Sequence, residues 1–168
     1  MSARKLLKGQ SLSEALSKPG PLSSRVRLVS ALLESDDPQE REKAIDSIKT
    51  NQDALKLAAV MSKQKGTCLA AISKLSSCKS LAFVVENSAD NFVIDAANDK
   101  INFLIEVLHP DSLMDLAIDA PYSFLRTAAV LQLHERREDA QLAYVGFSSE
   151  YPDTRELAMG FVQARRLG

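Results

Sequence analysis

The sequence predicts an all-α protein, a right-handed α-solenoid of stacked antiparallel helix pairs, and three observations support this prediction. A helical pattern built around an alanine recurs five times along the 168 residues. A second pattern, built around a leucine, follows each of the first four copies. Prolines or a glycine punctuate the chain between copies. One short helix pair cannot bury its own apolar faces, whereas stacked pairs cover each other.

The alanines of the first pattern lie 27, 26, 32 and 29 residues apart, at Ala44, Ala71, Ala97, Ala129 and Ala158. The next residue is apolar in four of the five copies, at Ile45, Ile72, Val130 and Met159, with Asn98 in the third. The residue four positions after the alanine is apolar in all copies: Ile48, Leu75, Ile101, Leu133 and Val162. These spacings lie on one stripe of a helix, so they predict helices, here called A helices.

The second pattern predicts four B helices, each with a leucine on its buried stripe: Leu55, Leu81, Leu113 and Leu142. Apolar residues follow three positions later at Ala58, Val84, Leu116 and Val145, and small or apolar residues one position after that at Ala59, Val85, Ala117 and Gly146. We expect Asp53, Asp111 and Asp139 to cap the starts of B helices. We expect breaks between units at Pro38, Gly66, Pro110, Pro121 and Pro152.

These columns predict a single domain over 1–168, with repeats at about 40–64, 65–90, 91–121 and 122–151. Residues 1–39 would form an irregular N-terminal cap, and 152–168 a final unpaired helix. The third repeat contains an apolar insert, NFLIEVLHP (102–110), which predicts a longer A helix whose extra surface either packs under a neighbouring repeat or forms an exposed ledge. A helical bundle is the alternative architecture, but a bundle has no reason to repeat the same columns.

Three A helices share an arginine three residues before the alanine. It is Arg41 in PQEREKAIDSI (38–48), Arg126 in LRTAAVLQL (125–133) and Arg155 in PDTRELAMGFV (152–162). Cys68 and Ile94 occupy this column in the other two copies, which would interrupt a ladder of arginines. The pattern resembles the short HEAT-like repeats of bacterial α-solenoids, including the phycobilin-lyase-type repeats. The resemblance covers about residues 40–168 and implies an architecture rather than a chemistry, because such repeats serve many functions.

Composition indicates an ordinary soluble protein. Hydrophobic residues make up 45% of the chain, charged residues 26%, and the formal net charge is −1. This balance argues against bulk electrostatic binding to nucleic acid or to a membrane. The longest apolar runs are too short to span a bilayer. We therefore expect a cytoplasmic protein without a membrane partner.

Catalytic motifs are missing from the sequence, which contains no G-x-S-x-G, P-loop or G-x-G-x-x-G pattern. His109 and His134 lack partners at metal-ligand spacing, and we expect both to stabilise helix C-termini. Cys68 and Cys78 are expected to be ordinary thiols. The acid pairs Asp36/Asp37 and Asp95/Asp99 are expected to be solvated or capping. The sequence thus predicts a non-enzymatic protein without a metal or cofactor.

Charge is distributed unevenly along the chain. Residues 40–81 contain eight Lys or Arg against four acids, whereas residues 86–120 contain eight acids against one lysine. Such asymmetry can steer a charged partner or favour self-association, although simply solvated faces are the alternative.

The outward columns of the B helices combine aromatic and acidic residues, which predicts a protein-binding face made by Phe83, Glu86, Asp115, Asp119, Tyr144 and Phe147. Large aromatic side chains often dominate interface energies. The alternative is that these side chains pack against the adjacent repeat. The leading hypothesis is a protein-interaction scaffold or adaptor. Two others remain open: nucleic-acid binding through Arg41, Lys49, Lys56 and Lys63, and an accessory subunit of a lyase-like enzyme with a prosthetic group in the groove.

Overall fold

The computed structural model describes residues 35–167, and this part of the chain is helical throughout, with no strand. The expected helices of the N-terminal cap, at 1–34, lie outside the described residues. Within the described part the helices are α1 Pro38–Ser47, α2 Gln52–Met61, α3 Lys65–Lys74, α4 Cys78–Asn87, α5 Asn91–Val107, α6 Pro110–Asp119, α7 Ser123–Glu135, α8 Asp139–Ser148 and α9 Pro152–Leu167. The all-α prediction is confirmed. The A helices are the odd-numbered ones and the B helices the even-numbered ones.

The helices group into two compact units, one reaching Lys100 and the other beginning at Ile101, so that the boundary lies within α5. In the first unit, α2 packs against α3 and α4, and α1 packs against α3. In the second unit, α6 packs against α7 and α8, while α9 packs against α7 and α8. Within each unit, therefore, A helices contact A helices and B helices contact B helices.

The columns read from the sequence form the core. The leucine column is fully buried in all four B helices, and the alanine column is buried in every A helix except α1, where Ala44 is half-buried. All five residues four positions after the alanine are buried. Ile48 and Leu75 of this set lie just past the helices, as the C-terminal caps of α1 and α3. Burial of a leucine or isoleucine side chain contributes about 1.5–3 kcal/mol, so these columns dominate the stability of each helix pair.

The apolar insert extends the third A helix as expected, since α5 runs for 17 residues and ends at Val107. Part of the insert packs in the core and part of it is exposed, so each of the two expected outcomes applies to some of its residues. Ile105 is buried in the core, whereas Phe103 and Val107 are exposed.

Several predicted helix ends are wrong. Asn51, not Asp53, caps α2 by accepting a hydrogen bond from the Ala54 amide. His109 was expected at a helix C-terminus but is the N-cap of α6, where Nδ1 accepts a hydrogen bond from the Asp111 amide at 3.4 Å. Asp53, Asp111 and Asp139 instead lie in the first turns of their helices, where their negative charges still interact favourably with the positive end of the helix dipole.

Gly66 does not separate two units as expected, because it lies inside the first turn of α3. The three prolines Pro38, Pro110 and Pro152 are the first residues of α1, α6 and α9. A proline is accommodated there because its missing N–H would have no helical partner. Within residues 35–167, these prolines therefore mark starts of helices, and no glycine marks the end of one.

A serine column organises the turns that lead into the A helices. Ser35, Ser62, Ser88 and Ser149 each lie nine residues before the alanine column, with Ala120 in the remaining copy. Each serine hydroxyl accepts a hydrogen bond from the amide two residues further on, at 3.1–3.3 Å. This local bond directs the chain out of the preceding turn and into the next helix.

The arginine column binds the carbonyl oxygen at the start of the same turns. Arg41, Arg126 and Arg155 donate from Nη1 to the carbonyl six residues earlier, at 2.9, 3.0 and 3.1 Å. Cys68, which replaces the arginine in α3, donates from Sγ to the Ser62 carbonyl at 3.4 Å. In α1, α3, α7 and α9 the column therefore fastens the helix to the turn before it, whereas Ile94 of α5 has no side-chain donor.

Arg126 makes the most extensive contacts in this column and is only 4% exposed. Its Nε donates to Thr154 Oγ1 at 2.9 Å, and Nη2 lies 3.2 Å from Asp153 Oδ2. Its guanidinium carbon lies 3.5 Å from the centre of the Tyr151 ring. One side chain on α7 thereby holds the start of α9 through hydrogen bonds, an ion pair and a cation–π contact.

Two further arginines bind the C-terminal ends of preceding A helices. Arg136 follows α7 and donates to the Ile105, Glu106 and Leu108 carbonyls at 3.0, 2.6 and 2.5 Å, which satisfies the end of α5. Arg165 on α9 donates to the His134 carbonyl at the end of α7 and pairs with Asp139. Both lie seven residues after the alanine, so they form a second arginine column confined to α7 and α9.

Thr67 and Thr154 provide a matched test of the contacts between Arg126 and the start of α9. Both threonines are buried and lie four residues before an alanine of the A-helix column. The Thr154 hydroxyl accepts a hydrogen bond from Arg126, whereas the Thr67 hydroxyl has no hydrogen-bond partner among the described residues. We expect Thr154→Val to lower the free energy of unfolding by about 1.5 kcal/mol, because it leaves a buried Nε–H unpaired. Thr67→Val should raise it by about 1 kcal/mol by removing an unpaired buried hydroxyl. Urea denaturation of both variants measures the two effects, and changes of the same sign would contradict the assignment.

Candidate functional site

The outward side of α6 and α8, two B helices that pack against each other, carries exposed aromatic and acidic side chains. Tyr144 is 55% exposed and Phe147 is 77% exposed, the largest value among the exposed large hydrophobic residues described. Both lie opposite the buried stripe of α8, which contains Leu142 and Val145. A large aromatic side chain left in water on a rigid helix is a typical contact residue of a protein interface.

Three carboxylates follow the exposed side of α6 at intervals of four residues: Asp111, Asp115 and Asp119. Gln141 Nε2 lies 3.4 Å from Asp111 Oδ1, which places the start of α8 beside the start of α6. In the repeat columns, Asp115 corresponds to Tyr144 and Ile118 to Phe147. We call the surface formed by Asp111, Asp115, Asp119, Tyr144 and Phe147 the acidic–aromatic face.

The equivalent residues of the first unit are arranged differently. Phe83 on α4 is half-buried, and Lys56 Nζ on α2 lies 4.9 Å from the centre of its ring. Lys56 also pairs with Asp53 at 2.6 Å. Glu86 is exposed one turn further along α4. Lys56, which was expected on the basic face, therefore covers Phe83, which was expected on the protein-binding face. Phe83 is thus less accessible to a partner than Tyr144 or Phe147.

The four residues considered for a basic face differ in their surroundings. Arg41 is half-buried and bound to the Ser35 carbonyl, whereas Lys49 and Lys63 are exposed. Lys56 is half-buried against Phe83. Two other lysines of the first unit also face carboxylates, in the pairs Lys65–Asp90 and Lys74–Asp46 at 3.7 and 3.0 Å. Hydrogen bonding and charge from Lys74 lower the pKa of the Asp46 carboxyl. These acids reduce the positive potential available to a phosphate backbone.

A cleft of about 530 Å³ lies in the first unit where Cys68 takes the place of an arginine. Lys63, Lys65 and Asp90 line it, together with Cys68 and Val93. In the second unit, Arg126 fills the equivalent position and Thr154 corresponds to Val93. The short Cys68 side chain thus leaves space in the first unit at a position where the second unit has an arginine.

Neither cysteine has the environment of a reactive thiol. Cys68 and Cys78 are buried and form no disulfide. Burial raises the pKa of both thiols, so each stays protonated at neutral pH and is a weak nucleophile. Within residues 35–167, no group of three or more His, Cys, Asp or Glu side chains has an arrangement that could hold a metal ion.

None of the described helices combines the length and apolar character needed to cross a bilayer.

Comparison with known proteins gives one distant similarity. The chain is 29% identical over 126 residues to an "Anamorsin homolog" from Toxoplasma gondii (strain ATCC 50861 / VEG). The alignment covers 66% of this chain and 28% of that relative. No protein-family model and no solved structure matches the chain. The similarity is to a part of a longer protein and does not define a family for this chain.

Two features of the repeat were missed in the sequence. The serine column has the same spacing as the alanine column and was detectable from the sequence alone. Arg136 and Arg165 also share a column, but their role depends on carbonyl groups 28–31 residues earlier. Such long-range hydrogen bonds have no local sequence signal.

Proposed function

We propose that the chain is a non-enzymatic interaction scaffold whose helix pairs stack as a right-handed α-solenoid and bind a protein partner through the acidic–aromatic face. The stacking proposal is supported by contacts of A helices with A helices and of B helices with B helices inside each unit. The repeated burial of the alanine and leucine columns also supports it. A site on such an array gains rigidity because every neighbouring pair holds it in place.

The observation that carries the binding proposal is the exposure of Tyr144 and Phe147 beside the carboxylates of α6. These aromatics are not needed for the core, because Leu142, Val145 and Gly146 already bury the opposite side of α8. Exposing two aromatic side chains to water brings no benefit to folding, whereas burying them in an interface contributes strongly to affinity.

The double variant Tyr144→Ser/Phe147→Ser tests this function. We expect a partner protein captured by the full chain to bind this variant at least tenfold more weakly, which corresponds to a loss of about 1.4 kcal/mol of binding free energy. Calorimetry with the purified partner measures the affinity. Circular dichroism and thermal unfolding should stay unchanged, since both side chains lie outside the core.

Leu131→Ser is the matched control for this experiment. Leu131 is 42% exposed on α7, an A helix of the same unit, so its replacement removes a similar exposed apolar side chain away from the face. We expect full affinity in this variant. An equal loss in both variants, or no loss in either, would rule out binding through the acidic–aromatic face.

Nucleic-acid binding through Arg41, Lys49, Lys56 and Lys63 is less well supported, because nearby residues already occupy two of these side chains. A lyase-like accessory role would require a bound prosthetic group. Retention on DNA that falls steeply with salt would favour the first alternative, and absorbance that copurifies with the protein would favour the second.

A further inference from the structure

The charges of the acidic–aromatic face define the chemistry of its partner. We propose that the face binds a peptide segment in which Lys or Arg side chains accompany large apolar side chains; this inference rests on the proposed function. The two helices that form the face, α6 and α8, contain four aspartates and no lysine or arginine. Three of the four aspartates lie along α6, so a partner with positive charge is complementary to α6, and α8 adds no positive charge that would oppose it.

Two of these carboxylates are available to a partner. Asp139 is paired with Arg165, and Gln141 lies beside Asp111. Asp115 and Asp119 are exposed and form no ion pair with any residue among 35–167. Like charges along one side of a helix repel each other, and a bound cationic side chain relieves this repulsion. No described residue pairs with these two carboxylates, so a cation of a partner would not have to displace an internal one.

The spacing of the acids limits the spacing of the positive charges. Residues four apart on a helix are separated by about 6 Å along its axis. Basic side chains have this spacing at every fourth residue of a helical segment, or at every second residue of an extended one. The partner should therefore carry two basic residues at one of these two spacings, facing Asp115 and Asp119.

Aromatic residues beside the acids add an apolar requirement. Phe147 on α8 occupies the same repeat column as Ile118 on α6, and Tyr144 occupies the same column as Asp115. The face therefore combines equivalent positions of the two helices. Phe147 is 77% exposed and can be buried by a large apolar side chain of the partner. A lysine or arginine beside it can also stack on an aromatic ring. An acidic peptide or a nucleic-acid backbone lacks this complementarity, because it would place negative charge against Asp115 and Asp119.

Selection from a displayed random peptide library on the full chain tests this inference. We expect the enriched peptides to combine at least two Lys or Arg residues with a large apolar residue. Synthetic versions should lose at least tenfold in affinity for Asp115→Asn/Asp119→Asn and for Tyr144→Ser/Phe147→Ser. They should keep their affinity for Glu135→Gln/Glu156→Gln, which removes two exposed acids of the same unit outside the face.

The possible failures can be told apart. Enriched peptides that lack basic residues but still depend on Tyr144 and Phe147 would overturn the charge inference and leave the proposed binding face intact. Enrichment that does not depend on these aromatics, or no enrichment at all, would overturn both. A self-associated protein in sedimentation that dissociates in Tyr144→Ser/Phe147→Ser would identify a second copy as the occupant and overturn the peptide proposal.

Discussion

Replacing Arg126 by methionine is expected to lower the free energy of unfolding by about 3 kcal/mol. The substitution keeps a long apolar side chain but removes every polar contact of the guanidinium. The Thr154 hydroxyl and the Ala120 carbonyl lose their partner at a buried site, and the cation–π contact with Tyr151 is lost. Loss of a buried charged group that holds several hydrogen bonds belongs to the most destabilising class of substitutions. Equilibrium denaturation in urea measures the effect.

Arg155→Met is the matched control, because Arg155 occupies the same column in α9. It is half-buried and donates to the Ser149 carbonyl. We expect a loss of about 1 kcal/mol, which is typical of one hydrogen bond. Equal losses in the two variants would show that the contacts of Arg126 with the start of α9 contribute nothing beyond the bond shared by the whole column.

Asp153 should report the same contacts through its titration. Hydrogen bonding from the Thr154 backbone amide is the largest cause that lowers the pKa of its carboxyl; burial opposes this effect, and the hydrogen bond and charge of Arg126 lower the pKa further. Because the pKa is depressed in the folded state, the resulting stability is present above about pH 4 and is lost as the pH falls through the folded pKa. In Arg126→Met, NMR titration should show a higher pKa for Asp153 than in the parent, because the hydrogen bond and the charge of Arg126 are lost. An unchanged pKa would argue against the ion pair.

Replacing Gly146 by valine is the second substitution with a large expected effect, a loss of about 2 kcal/mol. Gly146 lies on the buried stripe of α8, where a Cβ atom would come within 2.5 Å of Met159 Sδ and 2.6 Å of Met159 Cγ on α9. The methionine must move, and overpacking of this kind typically costs 1–3 kcal/mol. Thermal or chemical unfolding measures the change.

Two controls separate this close approach from the effect of glycine on helix propensity. Gly160 is exposed within α9, and a Cβ atom there would meet nothing within 4 Å, so Gly160→Val should leave stability within about 0.5 kcal/mol of the parent. In a Met159→Ala background, Gly146→Val should cost less than half as much as it does alone, because the blocking side chain is absent. An unchanged cost in that background would show that Met159 is not the obstacle.

The buried columns could be predicted because each helix carries its own copy of the pattern. Leu113 and Leu142 are buried as the periodicity indicated, and Gly146 lies in the buried column of α8 that packs against Met159 of α9. The caps were harder to predict, because the geometry of the turn decides which of several neighbouring polar residues caps the helix, and a shift of one or two residues changes the answer. His109, which was expected to end a helix, begins the next one because Pro110 takes its first position.

The candidate site could be predicted in part. Tyr144 and Phe147 were found from the outward columns of α8, and their exposure agrees with that interpretation. Phe83 occupies the same column as Tyr144 but is half-buried under Lys56, a contact that depends on which lysine the neighbouring helix presents. The cleft beside Cys68 was not predicted, because an empty volume arises from a side chain that is missing from a column.

A crystal structure of the chain would test the stacking of helix pairs most directly. The proposed α-solenoid predicts that successive pairs, such as α1–α2 and α3–α4, are related by one repeated translation and a small right-handed rotation. Arg126 should then reach from α7 to Asp153 and Thr154. Helices arranged around one common axis, with no repeated translation between pairs, would contradict it.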